Sequence, residues 1–175
     1  TATSAINLTS LATVNAGADK VILKGQRIQL SGTATGQGIS YSWSPPLYIN
    51  DIYSAQPFVN PPADITYILT AVSGCNTVAD TMFVKVYNDL YIPNAFTPNG
   101  NGINDTWNIS ALEAYPGFEL FFFILYGQLV FKTNKTPVAW DGDYKSKPCM
   151  NGVYTYVIKT GNDKEPVKGT VMIIR

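Results

Sequence analysis

Two turn-forming residues, or a glycine beside a polar residue, recur about every ten positions along most of the chain, with short apolar-alternating runs between them. Lys24-Gly25, Gly36–Gly38, Pro45-Pro46, Pro61-Pro62 and Gly74 interrupt the first half in this way. A helix needs about ten to twelve uninterrupted residues with a 3.6-residue period, whereas a strand needs four to eight with a period of two. In Arg27–Thr33, Ile28 and Leu30 alternate with Arg27, Gln29 and Ser31; in Met82–Tyr87, Met82, Val84 and Val86 alternate with Phe83, Lys85 and Tyr87. Six segments fit strands: Leu11–Val14, Val21–Leu23, Arg27–Thr33, Ile39–Trp43, Ile65–Val72 and Thr81–Tyr87. Nothing before Asn88 reads as helix, so the expected architecture is an antiparallel sandwich.

The chain divides near Asn88. Residues 1–10 are small and polar and read as a lead-in from a preceding unit; residues 11–88 form a first domain and residues 89–175 a second. In the second half, Gly117–Tyr126 and Gln128–Lys132 predict a hairpin around Gly127, Trp140-Asp141-Gly142 a turn, and Gly152–Thr160 and Val167–Ile174 two more strands joined by Gly161–Pro166. Asn-Gly pairs at 99–102 supply the positive φ angles of tight turns. The whole is expected to be all-β, two consecutive sandwich domains. Few polar linker residues surround Asn88, which predicts a short junction.

Composition closes several functional classes. Histidine is absent, which removes Ser–His–Asp and Cys–His nucleophile systems and imidazole ligation of zinc. Twelve basic residues balance twelve acidic ones, whereas a nucleic-acid binder carries a basic stripe. No apolar run approaches the about 20 residues of a membrane-spanning helix. Thr1 is followed by no charged or apolar leader, so the chain reads as a mature or excised piece of a larger protein. Cys75 and Cys149 lack C-x-x-C partners and fall in different predicted domains, so a disulfide between them is disfavoured. Glu113, Glu119 and Glu165 are scattered, Asp141 and Asp143 share a turn, and no pair of carboxyls is set across a cleft. An enzyme is not expected.

Trp43, in Ser40–Ser44, is read as a core residue rather than an exposed platform, because Tyr41 and Trp43 share one face of an interior strand. Residues 38–88, with Tyr-x-Trp-Ser-Pro near their start and I-T-Y-I-L-T-A-V-S-G-C before the last strand, resemble the immunoglobulin-like or PKD-like repeats of bacterial surface proteins. That resemblance implies a stalk or spacer and no catalytic residue.

Residues 90–175 carry a sharper one. I-P-N-A-F-T-P-N-G-N-G-I-N-D-T-W at 92–107, G-Q-L-V-F at 127–131, W-D-G at 140–142, N-G-V-Y-T-Y-V-I at 151–158 and K-G-T-V-M-I-I-R at 168–175 appear in the order seen in the gliding-motility-associated C-terminal domain. This is the type B sorting domain of the Bacteroidota type IX secretion system. Two departures stand out: Ile124-Leu125-Tyr126 replaces the family's usual N-R-W, and Asn101 stands where an aspartate is frequent. The resemblance implies export and attachment at the outer-membrane surface of a larger adhesin-like protein. It further implies recognition as a folded domain by the secretion apparatus and a PorP/SprF-like outer-membrane protein. By position, Pro93, Asn94, Phe96, Pro98, Asn99, Gly100, Trp107, Gly127, Trp140, Gly142, Gly152, Tyr154, Gly169 and Arg175 fall in the matching blocks. Docking candidates are Pro93, Asn94, Phe96, Pro98, Asn99, Gly100, Phe121, Phe123, Leu125 and Arg175, and many of the Gly, Pro and aromatic positions are expected to define the fold instead. Arg175 is expected to be the exception, a cation with no packing reason.

Three residue-level readings remain open. Asn99, Asn101, Asn104 and Asp105 space oxygens as a calcium loop does, but calcium wants six to eight oxygens with several carboxylates and only Asp105 is charged. A turn whose Asn side chains bond the backbone is favoured, and no cofactor is predicted. In Phe118–Tyr126, if Phe118, Leu120, Phe122 and Ile124 point inward then Phe121, Phe123 and Leu125 point outward, and that apolar face must be covered by the chain or by a partner. N-x-S/T triplets at Asn7, Asn104, Asn108 and Asn134 are read as chance, and Asp80-Thr81-Met82 resembles a short O-glycosylation motif of the phylum. The rival function is a carbohydrate-binding sandwich from a polysaccharide-degrading enzyme, stacking sugars on Tyr48, Tyr53, Tyr144 and Tyr156.

Overall fold

The computed structural model describes residues 10–161 and 165–175. Most of the expected lead-in, the triplet at Asn7, and the centre of the Gly161–Pro166 connection lie outside the described residues. The chain separates between Asn88 and Asp89 into two compact units, each with its own hydrophobic core.

In the first unit the strands are β1 (Thr13–Asn15), β2 (Lys20–Leu23), β3 (Ile28–Gln29), β4 (Thr33–Thr35), β5 (Ser40–Ser44), β6 (Phe58–Val59), β7 (Ile65–Val72) and β8 (Thr77–Tyr87). One sheet has the order β2-β8-β7-β5, and the pairs β1-β4 and β3-β6 supply the facing layer. All ladders are antiparallel except β2 on β8, which runs parallel. The inward set is the one that alternation predicts: Tyr67, Leu69 and Ala71 from β7, and Met82, Val84 and Val86 from β8, are buried. Trp43 is 1% exposed, with its Nε1 donating to the Ser54 carbonyl at 3.0 Å.

The expected strand Arg27–Thr33 is broken in two, because Ile28–Gln29 pairs with β6 and Thr33 onward with β1, and Gly32 between them lies against Trp43. A Cβ on Gly32 would lie 2.5 Å from Trp43 Cζ2, so the chain passes the indole only because residue 32 has no side chain. The final strand starts earlier than Thr81. Ser73 and Asn76 close a tight turn in which the Ser73 N–H donates to the Asn76 carbonyl at 2.8 Å, and pairing resumes at once from Val72↔Thr77. Polar side chains then tie β1 to this hairpin: the Ala12 N–H donates to Asn76 Oδ1 at 2.9 Å, and the Ala16 N–H to Asp80 Oδ2 at 2.8 Å.

The second unit contains β9 (Ala95–Phe96), a 3₁₀ helix (Ser110–Ala114), β10 (Glu119–Phe123), β11 (Leu129–Thr133), β12 (Asp143–Tyr144), β13 (Lys147–Pro148), β14 (Gly152–Lys159) and β15 (Val167–Ile173). Five strands form one sheet in the order β11-β10-β14-β15-β9, antiparallel except β15 on β9; β12 and β13 form a separate hairpin. The expected turn around Gly127 joins β10 to β11, with a register shift between Phe122 and Phe123. The opposing layer is mostly irregular: a mutual backbone bridge between Trp107 and Trp140, the 3₁₀ turn with buried Ala111 and Leu112, and Val138. Short runs such as β6, β12, β13 and the 3₁₀ turn have no period that sequence alone can show.

Both indoles of the bridge are fully buried, and their N–H groups are satisfied, Trp107 Nε1 by the Pro93 carbonyl at 2.7 Å and Trp140 Nε1 by the Asp143 carbonyl at 3.1 Å. Phe122 stacks on Trp140 at 4.3 Å between centroids and meets Trp107 edge-on at 4.8 Å. Buried aromatic pairs of this geometry add about 0.5–1.5 kcal/mol each beyond area burial, so this cluster organises the unit.

Candidate functional site

The loop after β9 is folded around one carboxylate. Asp105 Oδ1 accepts the N–H groups of Asn99 (2.9 Å) and Gly100 (2.7 Å), and Oδ2 that of Gly102 (2.6 Å). These bonds, led by that from Gly100, hold the Asp105 pKa below the ordinary carboxylate range, because each favours the charged form. Asn99 Oδ1 accepts the Asn101 N–H at 3.1 Å and Asn101 Oδ1 the Ile103 N–H at 2.8 Å. Asn104 takes a positive φ of 53° and its carbonyl accepts the Thr97 N–H at 2.8 Å. The side-chain oxygens of Asn99, Asn101 and Asp105 therefore accept backbone amide hydrogens, and Asn104 contributes its main-chain carbonyl. Among the described residues no group of three or more Cys, Asp or Glu side chains could hold a metal ion.

Arg175 departs from expectation, for it has a packing reason. Its side chain is 23% exposed. Nε donates to the Pro98 carbonyl at 3.1 Å, one terminal nitrogen to the Cys149 carbonyl, and the other to the Gly142 carbonyl at 3.2 Å and Asp143 Oδ1 at 3.4 Å. Its backbone N–H donates to Asn151 Oδ1 at 3.1 Å. A planar guanidinium with five donors can join three loops in this way, whereas an ammonium cannot. The requirement at residue 142 follows: φ is +79°, and a Cβ would lie 3.2 Å from the guanidinium and from Pro98 Cγ, and 3.3 Å from Phe96 Cζ. Asp141 makes the expected turn, its Oδ1 accepting the Asp143 N–H at 3.0 Å.

The remaining docking candidates fall into three places. Phe96 is 2% exposed and belongs to the core; Pro93 and Pro98 act through their carbonyls on Trp107 and Arg175; Asn94 gives its carbonyl to the Met172 N–H at 2.8 Å. With Asn99 and Gly100 these residues build the loop end of the unit. Phe121 and Phe123 lie elsewhere, on the outer face of β10, as the alternation predicts, while Phe118, Leu120 and Phe122 are buried. Leu125 sits in the β10–β11 turn, 79% exposed.

The outer face is sheltered more than sequence suggests. Phe121 and Phe123 stack with centroids 6.3 Å apart, and Lys132 and Lys159 stand over the Phe121 ring at 4.9 and 5.3 Å. Glu119 pairs with Lys132 at 2.9 Å and Lys159 at 3.9 Å, and the Lys132 bond chiefly lowers its pKa. The signal was legible once register was known, because Lys132 faces Phe121, and Lys159 faces Glu119, directly across the ladder. The lysine ammonium groups stand over the ring face as cations while the side chains stay about half exposed.

Of the tyrosines named for the rival function, Tyr156 is taken up by the core of the second unit. Tyr156 is 8% exposed and packs on Trp107 with centroids 5.6 Å apart, so it cannot stack a sugar. Tyr144 is half-buried in the second unit, and Tyr48 and Tyr53 are exposed in the first.

Residues 90–173 match the family model of the CHU_C type IX secretion signal domain. No curated protein matches the chain. Among solved structures, an immunoglobulin domain in the titin M10–obscurin-like 1 complex is 11% identical with a TM-score of 0.41, covering 48% of this chain and 100% of that one. A SusE-like surface-located polysaccharide-binding protein from Bacteroides thetaiotaomicron is 11% identical with a TM-score of 0.39, covering 96% of this chain and 34% of that one. Sidekick-1 immunoglobulin domains 1–5 are 11% identical with a TM-score of 0.44, covering 95% and 39%.

Proposed function

We propose that the second unit works as a sorting module of a secreted or cell-surface protein, read as a folded body by the type IX secretion machinery and by a PorP/SprF-like outer-membrane protein. The observation that carries the reading is that the family match spans residues 90–173, nearly the whole of a unit with its own core. The adhesin-like character of the larger protein belongs to the same proposal, and the first unit serves as a spacer. The work is recognition and not catalysis. No helix among the described residues is long and apolar enough to cross a membrane. In this reading, attachment at the outer membrane runs through the partner.

The loop end built by Pro93–Asp105, Gly142 and Arg175 is cross-linked by hydrogen bonds between segments remote in sequence, so its shape exists only in the folded domain. A receptor that reads the module after folding would meet such a surface ready-made. The test is export of a fluorescent passenger fused to the full chain, in a Bacteroidota host with and without the candidate barrel partner, beside a fusion ending at Asn88. Passenger outside the cell only with the full chain and the partner supports the reading. Equal export of the fusion ending at Asn88, or retention of a folded full-chain fusion in both hosts, overturns it.

A further inference from the structure

A cleft of about 380 Å³ opens on the second unit between the β10–β11 turn and the β12–β13 hairpin. Ile124, Val130, Pro148 and Tyr154 give it apolar walls, and Lys145 and Lys147 stand at its rim; no carboxylate lines it. The polar atom of Tyr154 is already used, its hydroxyl donating to the Met150 carbonyl at 2.9 Å, so the walls ask for an apolar group. The cleft falls within the about 300–1,000 Å³ range of ligand sites. The apolar surface continues past it, however. The turn that supplies Ile124 carries Leu125 (79% exposed) and Tyr126 (93%), and the opposite side carries Met150 (83%). None of these three belongs to the core, so apolar surface extends beyond the walls of the cleft on both sides. Cleft, apolar shoulders and a rim of one charge sign describe a place for a peptide.

We infer that this cleft docks an acidic peptide segment of a partner protein, inserting one apolar side chain between Ile124, Val130 and Tyr154 with its flanking carboxylates on Lys145 and Lys147. Charge complementarity selects the occupant: with two lysines and no acid in the lining, an acidic segment is attracted and a basic one repelled. The inference rests on the sorting reading, since it names the chemistry by which such a module would be held. The cleft borders the loop end, since Cys149 lines it and gives its carbonyl to Arg175, and Val130 and Tyr154 in its walls belong to the matching blocks at 127–131 and 151–158.

The experiment has two arms on the full chain. The first titrates a short fluorescein-labelled peptide with a central phenylalanine between aspartates, by anisotropy, against the wild type and a Lys145→Asn/Lys147→Glu variant. Asn is chosen because residue 145 has a φ of 51°, which asparagine tolerates. Circular dichroism and thermal melting establish that the variant is folded. Binding that weakens about tenfold in the variant, falls with added salt, and is lost when alanine replaces the central phenylalanine is the expected result. No binding up to millimolar peptide, or equal binding to the folded variant, overturns the inference. The second arm repeats the passenger export assay with the same variant. Wild-type export with loss in the variant supports the cleft as the docking place. Equal export of both overturns the cleft and leaves the sorting reading standing. No wild-type export defeats the sorting reading, and the peptide arm then decides the cleft by itself.

Discussion

Gly169 lies under the ring of Tyr156. A Cβ there would fall 2.2 Å from the Tyr156 hydroxyl oxygen and 2.5 Å from Cζ, and the ring has nowhere to go because it packs on Trp107. Gly169→Ala is expected to destabilise the second unit by about 1–3 kcal/mol, the range of overpacked cores, read from denaturant unfolding. Replacing Tyr156 with a smaller apolar residue in the same background should recover part of the loss. Arg175→Ala removes the bonds to Pro98, Cys149, Gly142 and Asp143, and is expected to cost about 2 kcal/mol. Arg175→Lys should restore little, because a point charge cannot serve three carbonyls in different directions. An unchanged midpoint in the Ala variant would remove Arg175 from the framework and return it to the surface. At this scale the blocks that carry the family resemblance are legible as residues, but not by role. A linear reading expects fold-defining roles for many of the Gly, Pro and aromatic positions and none for Arg175, and the contact of Arg175 with Pro98 exists only once residues 77 positions apart are brought together.

The 97–105 loop is an element whose stability depends on one proton. Asp105 is held charged by three backbone N–H bonds, and its folded pKa is depressed. A group depressed in the folded state stabilises it above the unfolded pKa, near 3.9, and that contribution disappears as pH falls through the lower folded value. Melting temperature should therefore fall more on going from pH 5 to pH 3 in the wild type than in Asp105→Asn. Equal slopes would show that the carboxylate does not organise the loop. Millimolar calcium is expected to leave the melting temperature unchanged, because binding would require the Asp105 and Asn oxygens to abandon their amide partners. The β10–β11 hairpin shows the complementary case. Alternation alone identifies its inner and outer faces, yet the shelter of Phe121 comes from Lys132 and Lys159 on neighbouring strands, which only register can place.

Two separate cores make the molecule two cooperative units. Trp43→Ala, which empties the centre of the first core, is expected to cost that unit about 3–5 kcal/mol. In a calorimetric scan it should lower one transition and leave the other in place, and a single shared transition moving as a whole would count against the division. A version ending at Asn88 should retain the first transition. The division matters for function, because a sorting module that folds by itself presents the same surface whatever passenger precedes it.

The all-β class, the two-unit organisation, the burial of Trp43 and the inward sets on the long strands all follow from properties a linear chain possesses: a period of two, turn residues at short intervals, and apolar balance within each half. The family resemblance is also linear, since it rests on short blocks in order. Tertiary structure alone decided that the Arg175 guanidinium joins the carbonyls of Pro98, Gly142 and Cys149, and that Asp105 gathers the amides of Asn99, Gly100 and Gly102. It decided too that Tyr156 is core, and that Lys145 and Lys147 meet Ile124 and Tyr154 at one cleft. Each of these is a contact between segments separated by a turn, a bulge or most of a domain. Periodicity describes which way a side chain points from its own strand, and only register and packing determine what it meets there.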